Sequence, residues 1–232
     1  MYFGNLGVYV PRREPFGNHP TLVNNLFSYW RMEETSTGVG SVRVDAHQGR
    51  DLTVTDAACA VVTGKNGSAY RAVGGSYLRR VTPLYTAANN LTVSAWISST
   101  GFAGGPVVAG TSSPTGWDIL GSPANTLSAR LVYGGGAGFV AANSTNYTQN
   151  GTFHHVLVMY NGTARTASIS INGEALVTSS AAPSALVEGT SFYAAYDTTG
   201  DLFTVDELGI WGRLLTLDER SALYSGGVGL FY

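Results

Sequence analysis

Apolar and polar residues alternate most cleanly over 91–97. Leu91, Val93, Ala95 and Ile97 share one face, and Thr92, Ser94 and Trp96 share the other. A period of two predicts a strand with one side turned to a core. Ile169 and Ile171 against Ser168 and Ser170 repeat the pattern. The stretch 153–160 is apolar on both sides, which predicts a strand covered on both. Asn161-Gly162 and Asn172-Gly173 are two-residue hairpin signals, and they predict an antiparallel meander of 153–160, 167–171 and 175–178. Near the end, 202–211 is rich in β-branched and aromatic residues. Strict alternation puts Phe203, Val205, Glu207 and Trp211 on one face and Leu202, Asp206, Leu208 and Ile210 on the other. Both sets are largely apolar, so this strand too is expected to be central. Thr216 followed by Glu219 forms a capping box, predicting one short helix that Gly226-Gly227 stops.

Further strands are expected at 26–34, 52–55, 76–79, 117–120 and 127–133, with a Gly turn feeding a short strand within 63–71, giving about a dozen with turns between them. That count, with 30 Gly in 232 residues, predicts an all-β, two-sheet antiparallel jelly roll with one short C-terminal helix. Residues 1–25 read differently. Pro11, Pro15 and Pro20 exclude a regular helix or central strand, yet Tyr2, Phe3, Val8, Tyr9, Val10 and Phe16 are too apolar for a free linker. The chain therefore divides into an extended arm, 1–25, and a jelly roll, 26–232, expected to fold without the arm. Tyr2, Phe3, Tyr9, Arg12, Arg13 and Phe16 are the candidate docking residues of the arm, which this domain's own surface, a copy of the chain or another protein must cover, another chain being favoured.

With 44% hydrophobic residues the chain can build a full core, and its net charge of −2 gives no reason to expect nucleic acid or an anionic membrane as partner. Cys59 is the single cysteine, which excludes an internal disulfide and a cysteine zinc site. No basic stretch followed by an apolar run marks a signal peptide, and no apolar stretch is long enough to span a bilayer.

Six stretches in order carry a resemblance. They are Tyr29-Trp30-Arg31-Met32-Glu33-Glu34, Gly64-Lys65-Asn66-Gly67-Ser68-Ala69-Tyr70-Arg71, Leu91 to Ile97, Phe153 to Gly162, Ile171-Asn172-Gly173, and Val205 to Leu215. Together they resemble the concanavalin A-like jelly roll in its laminin-G-like form. The resemblance implies that the strand at 27–33 pairs antiparallel with 203–211. Trp30, Val93, Ala95, Leu157, Ile169, Ile171, Leu208 and Ile210 should be buried. The Tyr-Trp-Arg opening is similar to bacteriophage tail and virion proteins.

Three functions are open to such a fold. A glycosidase needs two carboxylates flanking the scissile bond, and the resemblance implies that on this fold they would stand on one face of one strand, commonly as Glu-x-Asp-x-Glu. No such pattern occurs, and the adjacent Asp206 and Glu207 should face opposite ways, so the chain is not expected to be an enzyme. A lectin needs exposed aromatics, for which Trp117, Tyr133 and Tyr147 are the candidate glycan contacts. Calcium lacks its Asp-rich loop; if a metal were bound, Asp206, Glu33 and Asp45 would be its ligands, and otherwise these acids should bond backbone amides and Arg31, Arg43 or Arg213. No cofactor is expected. The third function is a non-catalytic structural or attachment component of a bacteriophage virion, capsid decoration or tail, made in the host cytoplasm. Its partners would be other virion proteins or copies of itself, with glycan contact at the host surface. A soluble carbohydrate-binding module is the alternative.

Overall fold

The computed structural model describes residues 16–85, 88–102, 107–111, 116–122, 124–133, 138–144, 146–180, 191–196 and 202–232. Their strands form two antiparallel sheets packed face to face. Sheet A runs β14 (Val177–Ser180), β13 (Thr166–Ile171), β12 (His154–Asn161), β7 (Asn90–Ser99), β16 (Phe203–Trp211), β5 (Ser68–Arg71) and β4 (Ala60–Thr63), and β1 (Leu26–Trp30) also pairs with β16. Sheet B runs β11 (Gly138–Asn143), β10 (Thr126–Tyr133), β9 (Gly116–Ser122), β8 (Val107–Thr111), β15 (Phe192–Tyr196), β6 (Tyr77–Arg80), β3 (Leu52–Thr55) and β2 (Val42–Arg43). The expected all-β sandwich is the observed one, and β1 lies antiparallel on β16 with Trp30 opposite Leu208.

The inward residues of both sheets make one core. Trp30, Val93, Ala95, Ile169, Ile171, Leu208 and Ile210 belong to it, with Leu78, Ile119 and Phe192 from sheet B. Asn172 and Gly173 both have positive φ, and the Glu174 amide donates to the Ile171 carbonyl at 3.0 Å, closing the tight turn their sequence demands. At Asn161-Gly162 the turn is longer than two residues, because Asn161 is still paired with Thr166. The Asn161 side chain instead accepts the Ala164 amide at 2.9 Å, and Arg165 takes the positive φ.

A second core lies on the outer side of sheet A. Leu157 and Trp211 point there, and Phe16, Leu22, Leu26, Tyr29, Leu215 and Leu223 complete it. The helix α1 (Leu217–Tyr224) covers part of this side, opened by the predicted capping box, in which Thr216 accepts the Glu219 amide and Glu219 returns the bond. The segment before β1 covers another part, with a short 3-10 turn at Pro20–Val23. The arm therefore divides differently from the expected boundary at residue 25. Phe16 is 0% exposed, with edge-on contacts to Tyr29 and Tyr232 at 5.3 Å each. It is a core residue of its own domain and offers no docking surface. The Trp211 indole donates to the Leu22 carbonyl at 2.6 Å, so 16–25 is part of the folded unit. Tyr2, Phe3, Tyr9, Arg12 and Arg13 lie outside the described residues.

Candidate functional site

The acids singled out in the sequence are arranged by one irregularity. Along β16, Asp206 is opposite Trp96 of β7 and Gly209 is opposite Ser94, so Glu207 and Leu208 together face Ala95. This is a β-bulge, with Glu207 at φ 50°. It also marks where the other neighbour of β16 changes: β5 pairs with Thr204 and Val205, and β1 pairs from Leu208 onward. The bulge shifts the alternation by one. Phe203 and Val205 share the inner face with Leu208 and Ile210, while Asp206, Glu207 and Trp211 fall outside the main core. The two acids therefore do not face opposite ways as strict alternation predicts. Asn66 reaches both, its amide N–H donating to Asp206 Oδ2 at 3.1 Å and its side chain donating to Glu207 Oε1 at 2.8 Å.

Asp206 also accepts the Lys65 amide at 2.8 Å, and Glu33 accepts the Ser68 amide at 3.0 Å. The carboxylates thus hold the turn 64–67 in the gap where neither β1 nor β5 supplies a ladder. The turn sits so close that a Cβ on Gly64 or Gly67 would strike the Asp206 or Glu33 carboxylate. Burial pushes Asp206 up to about 8 and Glu207 up to about 7. For Asp206 the amide bond from Asn66 works against this shift, and Glu207 nearby adds to it. Asp206 is 0% and Glu207 2% exposed, so neither can reach a substrate. Asp45, the third acid named as a metal ligand, does not join them. Its carboxylate accepts the amides of Tyr29, His47 and Arg50 at 2.9–3.0 Å, pinning that loop to β1. Among the described residues no group of three or more His, Cys, Asp and Glu side chains is placed to hold a metal ion.

The aromatic residues named as glycan contacts are not on the surface where described. Trp117 is 3% exposed, in the main core, and its indole donates to the Tyr85 hydroxyl at 2.6 Å. Its face was legible, since it alternates with Ile119 across Asp118. Tyr147 is 1% exposed and stacks on Phe102 at 5.7 Å. The Tyr133 side chain lies outside the described residues. Trp96 does point away from the main core, but Tyr224 of α1 stacks on it at 6.2 Å and the tilted His155 ring packs against it at 5.2 Å. His155 is bonded to Ser94 Oγ at 2.8 Å, and burial holds its pKa down at about 3, so it stays neutral.

The site that the sequence reading missed is the outer face of sheet B, which no helix covers among the described residues. One lateral row crosses it in register: Thr53, Arg79, Tyr193, Gly110, Asp118, Arg130. Tyr77 and Tyr196 gather around Tyr193 of the row, with ring centroids 4.9–5.6 Å apart. The Arg79 guanidinium lies over the Tyr193 ring at 5.7 Å. Gly110 leaves a dip between Tyr193 and the paired Asp118 and Arg130, whose atoms approach to 2.5 Å. A Cβ at Gly110 would come within 2.7 Å of both Asp118 Cβ and the Trp117 carbonyl, so only glycine fits. Rings flanked by forked donors and acceptors suit a flat ligand with an apolar face and a polar rim. The signal was present in the alternation Tyr77-Leu78-Arg79 and in Thr53 and Thr55 beside Leu52 and Val54. The inward partners mark the others as outward.

A family described as the concanavalin A-like lectin/glucanases superfamily matches residues 73–219. No curated protein matches the chain. Among solved structures, the binding domain of paraclostridial mosquitocidal protein 1 superposes with a TM-score of 0.70 at 14% identity, covering 88% of this chain and 52% of that one. A structure of botulinum neurotoxin type C, whose cell entry is dependent upon interaction with two ganglioside molecules, gives 0.71 at 12% identity, covering 89% and 52%. The binding domain of botulinum neurotoxin DC in complex with SialylT gives 0.67 at 12% identity, covering 88% and 51%. The chain spans about half the length of these structures, and at such identities the likeness is one of fold. They are clostridial binding domains, where the sequence pointed to bacteriophage proteins.

Proposed function

The chain belongs to the concanavalin A-like lectin/glucanases superfamily, and from that premise we propose that it is a non-catalytic binding module that takes a carbohydrate on the outer face of sheet B. The observation that carries this reading is the tyrosine cluster, Tyr77, Tyr193 and Tyr196, with Arg79 over Tyr193, on a sheet face that no helix covers among the described residues. The sugar ring would lie against Tyr193 above the Gly110 dip, with Arg79, Asp118 and Arg130 at its hydroxyls. The dependence of botulinum neurotoxin type C cell entry on two ganglioside molecules, and the SialylT complex of botulinum neurotoxin DC, both proteins sharing the fold, support the ligand class. The burial of Asp206 and Glu207 behind the turn 64–67 supports binding without hydrolysis.

The test is titration of the purified chain against a glycan panel, with the variant Tyr193→Ala. Binding should weaken by at least about tenfold in the variant, as loss of an aromatic anchor does, while its melting temperature holds. Absence of binding to any saccharide, or unchanged binding by the variant, would overturn the reading.

A structural role in a bacteriophage virion is a second reading, supported by the apolar arm. Tyr2, Phe3, Tyr9, Arg12 and Arg13 would dock on another virion protein or on a copy of this chain, and host-surface glycan would then be the ligand of sheet B. Its test is whether a chain lacking residues 1–15 still co-purifies with virions.

A further inference from the structure

We infer that the outer face of sheet B takes a neutral oligosaccharide of at least about three sugar rings, laid across the strands between Arg130 and Thr53, and that it reads the interior of a chain rather than its end. The inference rests on the proposal that this face binds carbohydrate and names the class and length it selects.

The row from Arg130 to Thr53 crosses β10, β9, β8, β15, β6 and β3 in register. Its members face outward, because their strand neighbours are core residues: Leu52 and Val54 on β3, Leu78 on β6, Phe192 and Ala194 on β15. Arg80, opposite Phe192, leaves on the other side, so Arg79 supplies the guanidinium here. Adjacent strands lie about 4.8 Å apart, which separates Gly110 from Thr53 by about 14 Å and Arg130 from Thr53 by about 24 Å. A pyranose ring is about as wide as one strand spacing. One ring therefore cannot touch both the Gly110 dip and Thr53, and a short chain can.

The Thr53 end of the row is hollow. Asp51, Thr53, Thr55, Arg79 and Val81 line a recess with about 610 Å³ of free space, counting its open mouth. That volume is in the range of sites for small ligands. Thr53 is paired with Arg79, and Arg79 with Tyr193, so the recess begins about 10 Å from the ring of the tyrosine cluster that the first sugar would cover. A sugar on Tyr193 leaves the recess unfilled, and the next units along the row reach it. The threonine hydroxyls both donate and accept, as sugar hydroxyls do. Charge along the row cancels: Asp118 neutralises Arg130, and Asp51 stands at the recess with Arg79. No surplus of positive charge is left to select an acidic saccharide. The ends of the row are open. Beyond Thr53 lies Val42, 38% exposed on the edge strand β2, and beyond Arg130 lies the small Ala141 of β11. Among the described residues no side chain closes the row, and an open row admits a chain interior where a closed pocket would select a chain end.

The experiment is titration of the full chain with glucose, galactose and N-acetylglucosamine and with the β-1,4-linked oligomers of each, from two units to six, at low and at high salt. In a series that binds, affinity should rise at least about tenfold between one unit and three, level off by six, and change little with salt. Blocking the reducing end of the longest oligomer should leave its affinity in place. Thr53→Ala combined with Thr55→Ala should remove most of the rise, while Thr53→Ser, which keeps the hydroxyl, should retain it. A saccharide outside these series that binds on the glycan panel would be lengthened in the same way and judged by the same rise. A response flat with length, loss of binding on blocking the chain end, a rise that survives the double alanine variant at unchanged melting temperature, or binding confined to acidic saccharides would overturn the inference and leave the carbohydrate reading standing. Absence of binding to all three series and to the whole panel would overturn both.

Discussion

Burial sets the chemistry of single residues here and makes stability depend on pH in a definite direction. Asp206 is raised from 3.8 to about 8 and Glu207 from 4.5 to about 7, burial being the largest cause for each. A carboxylate with a raised folded pKa holds its proton more tightly folded than unfolded. Folding then takes up protons between the two values, and stability falls as pH rises through that window. His155, lowered by burial from 6.5 to about 3, gives the opposite slope between those values. Above pH 6.5 the histidine is neutral in both states and only the carboxylates act. The melting temperature is therefore expected to fall between pH 6.5 and 8, at up to about 1.4 kcal/mol per pH unit for each titrating group. Asp206→Asn should flatten that fall; a variant with the same slope as the parent would assign it to another group.

Among the elements, β16 shows how far alternation can be read. Before the bulge the sequence reading places Phe203 and Val205 on one face, and the structure agrees. After it, Leu208 and Ile210 join them, because one extra residue at Glu207 slips the register. Nothing in the local pattern marks that slip, since it depends on β5 and β1 sharing one flank of β16. The burial of Leu208 and Ile210 was legible because both faces of this strand are covered. Leu208→Ala should cost about 2–5 kcal/mol through lost burial and a cavity, measured by chemical denaturation, and a loss under about half that would contradict the shifted face. The candidate site was less legible for a related reason. Tyr77 lies far in sequence from Tyr193 and Tyr196, and only the pairing of β6 with β15 brings them together. Gly110→Ala tests how tightly β8 and β9 approach. With backbone and Cβ atoms 2.7 Å from the added carbon, the cost should be about 1–3 kcal/mol, and no cost would show that the strands can part.

At the scale of the whole molecule, Arg213 ties the two ends of the described chain to one another. It pairs with Glu219 through two bonds of 2.7 Å and donates to the carbonyls of Asn24 and Thr21 at 2.8 and 2.7 Å. A chain beginning at Phe16 keeps these contacts, whereas one beginning at Leu26 loses Phe16, Leu22 and the acceptor of the Trp211 indole. The shorter form should be less stable by about 3–6 kcal/mol, and equal melting temperatures for the two would place the second core elsewhere. Because Asp206, Glu33 and Asp45 bond backbone amides, EDTA should leave the melting temperature of the full chain unchanged; a fall that calcium restores would contradict this. The contact of Phe16 with Tyr232 at 5.3 Å has a practical consequence. Both residues lie on the side of sheet A away from sheet B. A tether attached after Tyr232 therefore leaves from the back of the sandwich and keeps clear of the tyrosine face. Copies immobilised or strung together through that end would all present their faces outward, so avidity could be raised by linkage alone, without altering a residue of the site.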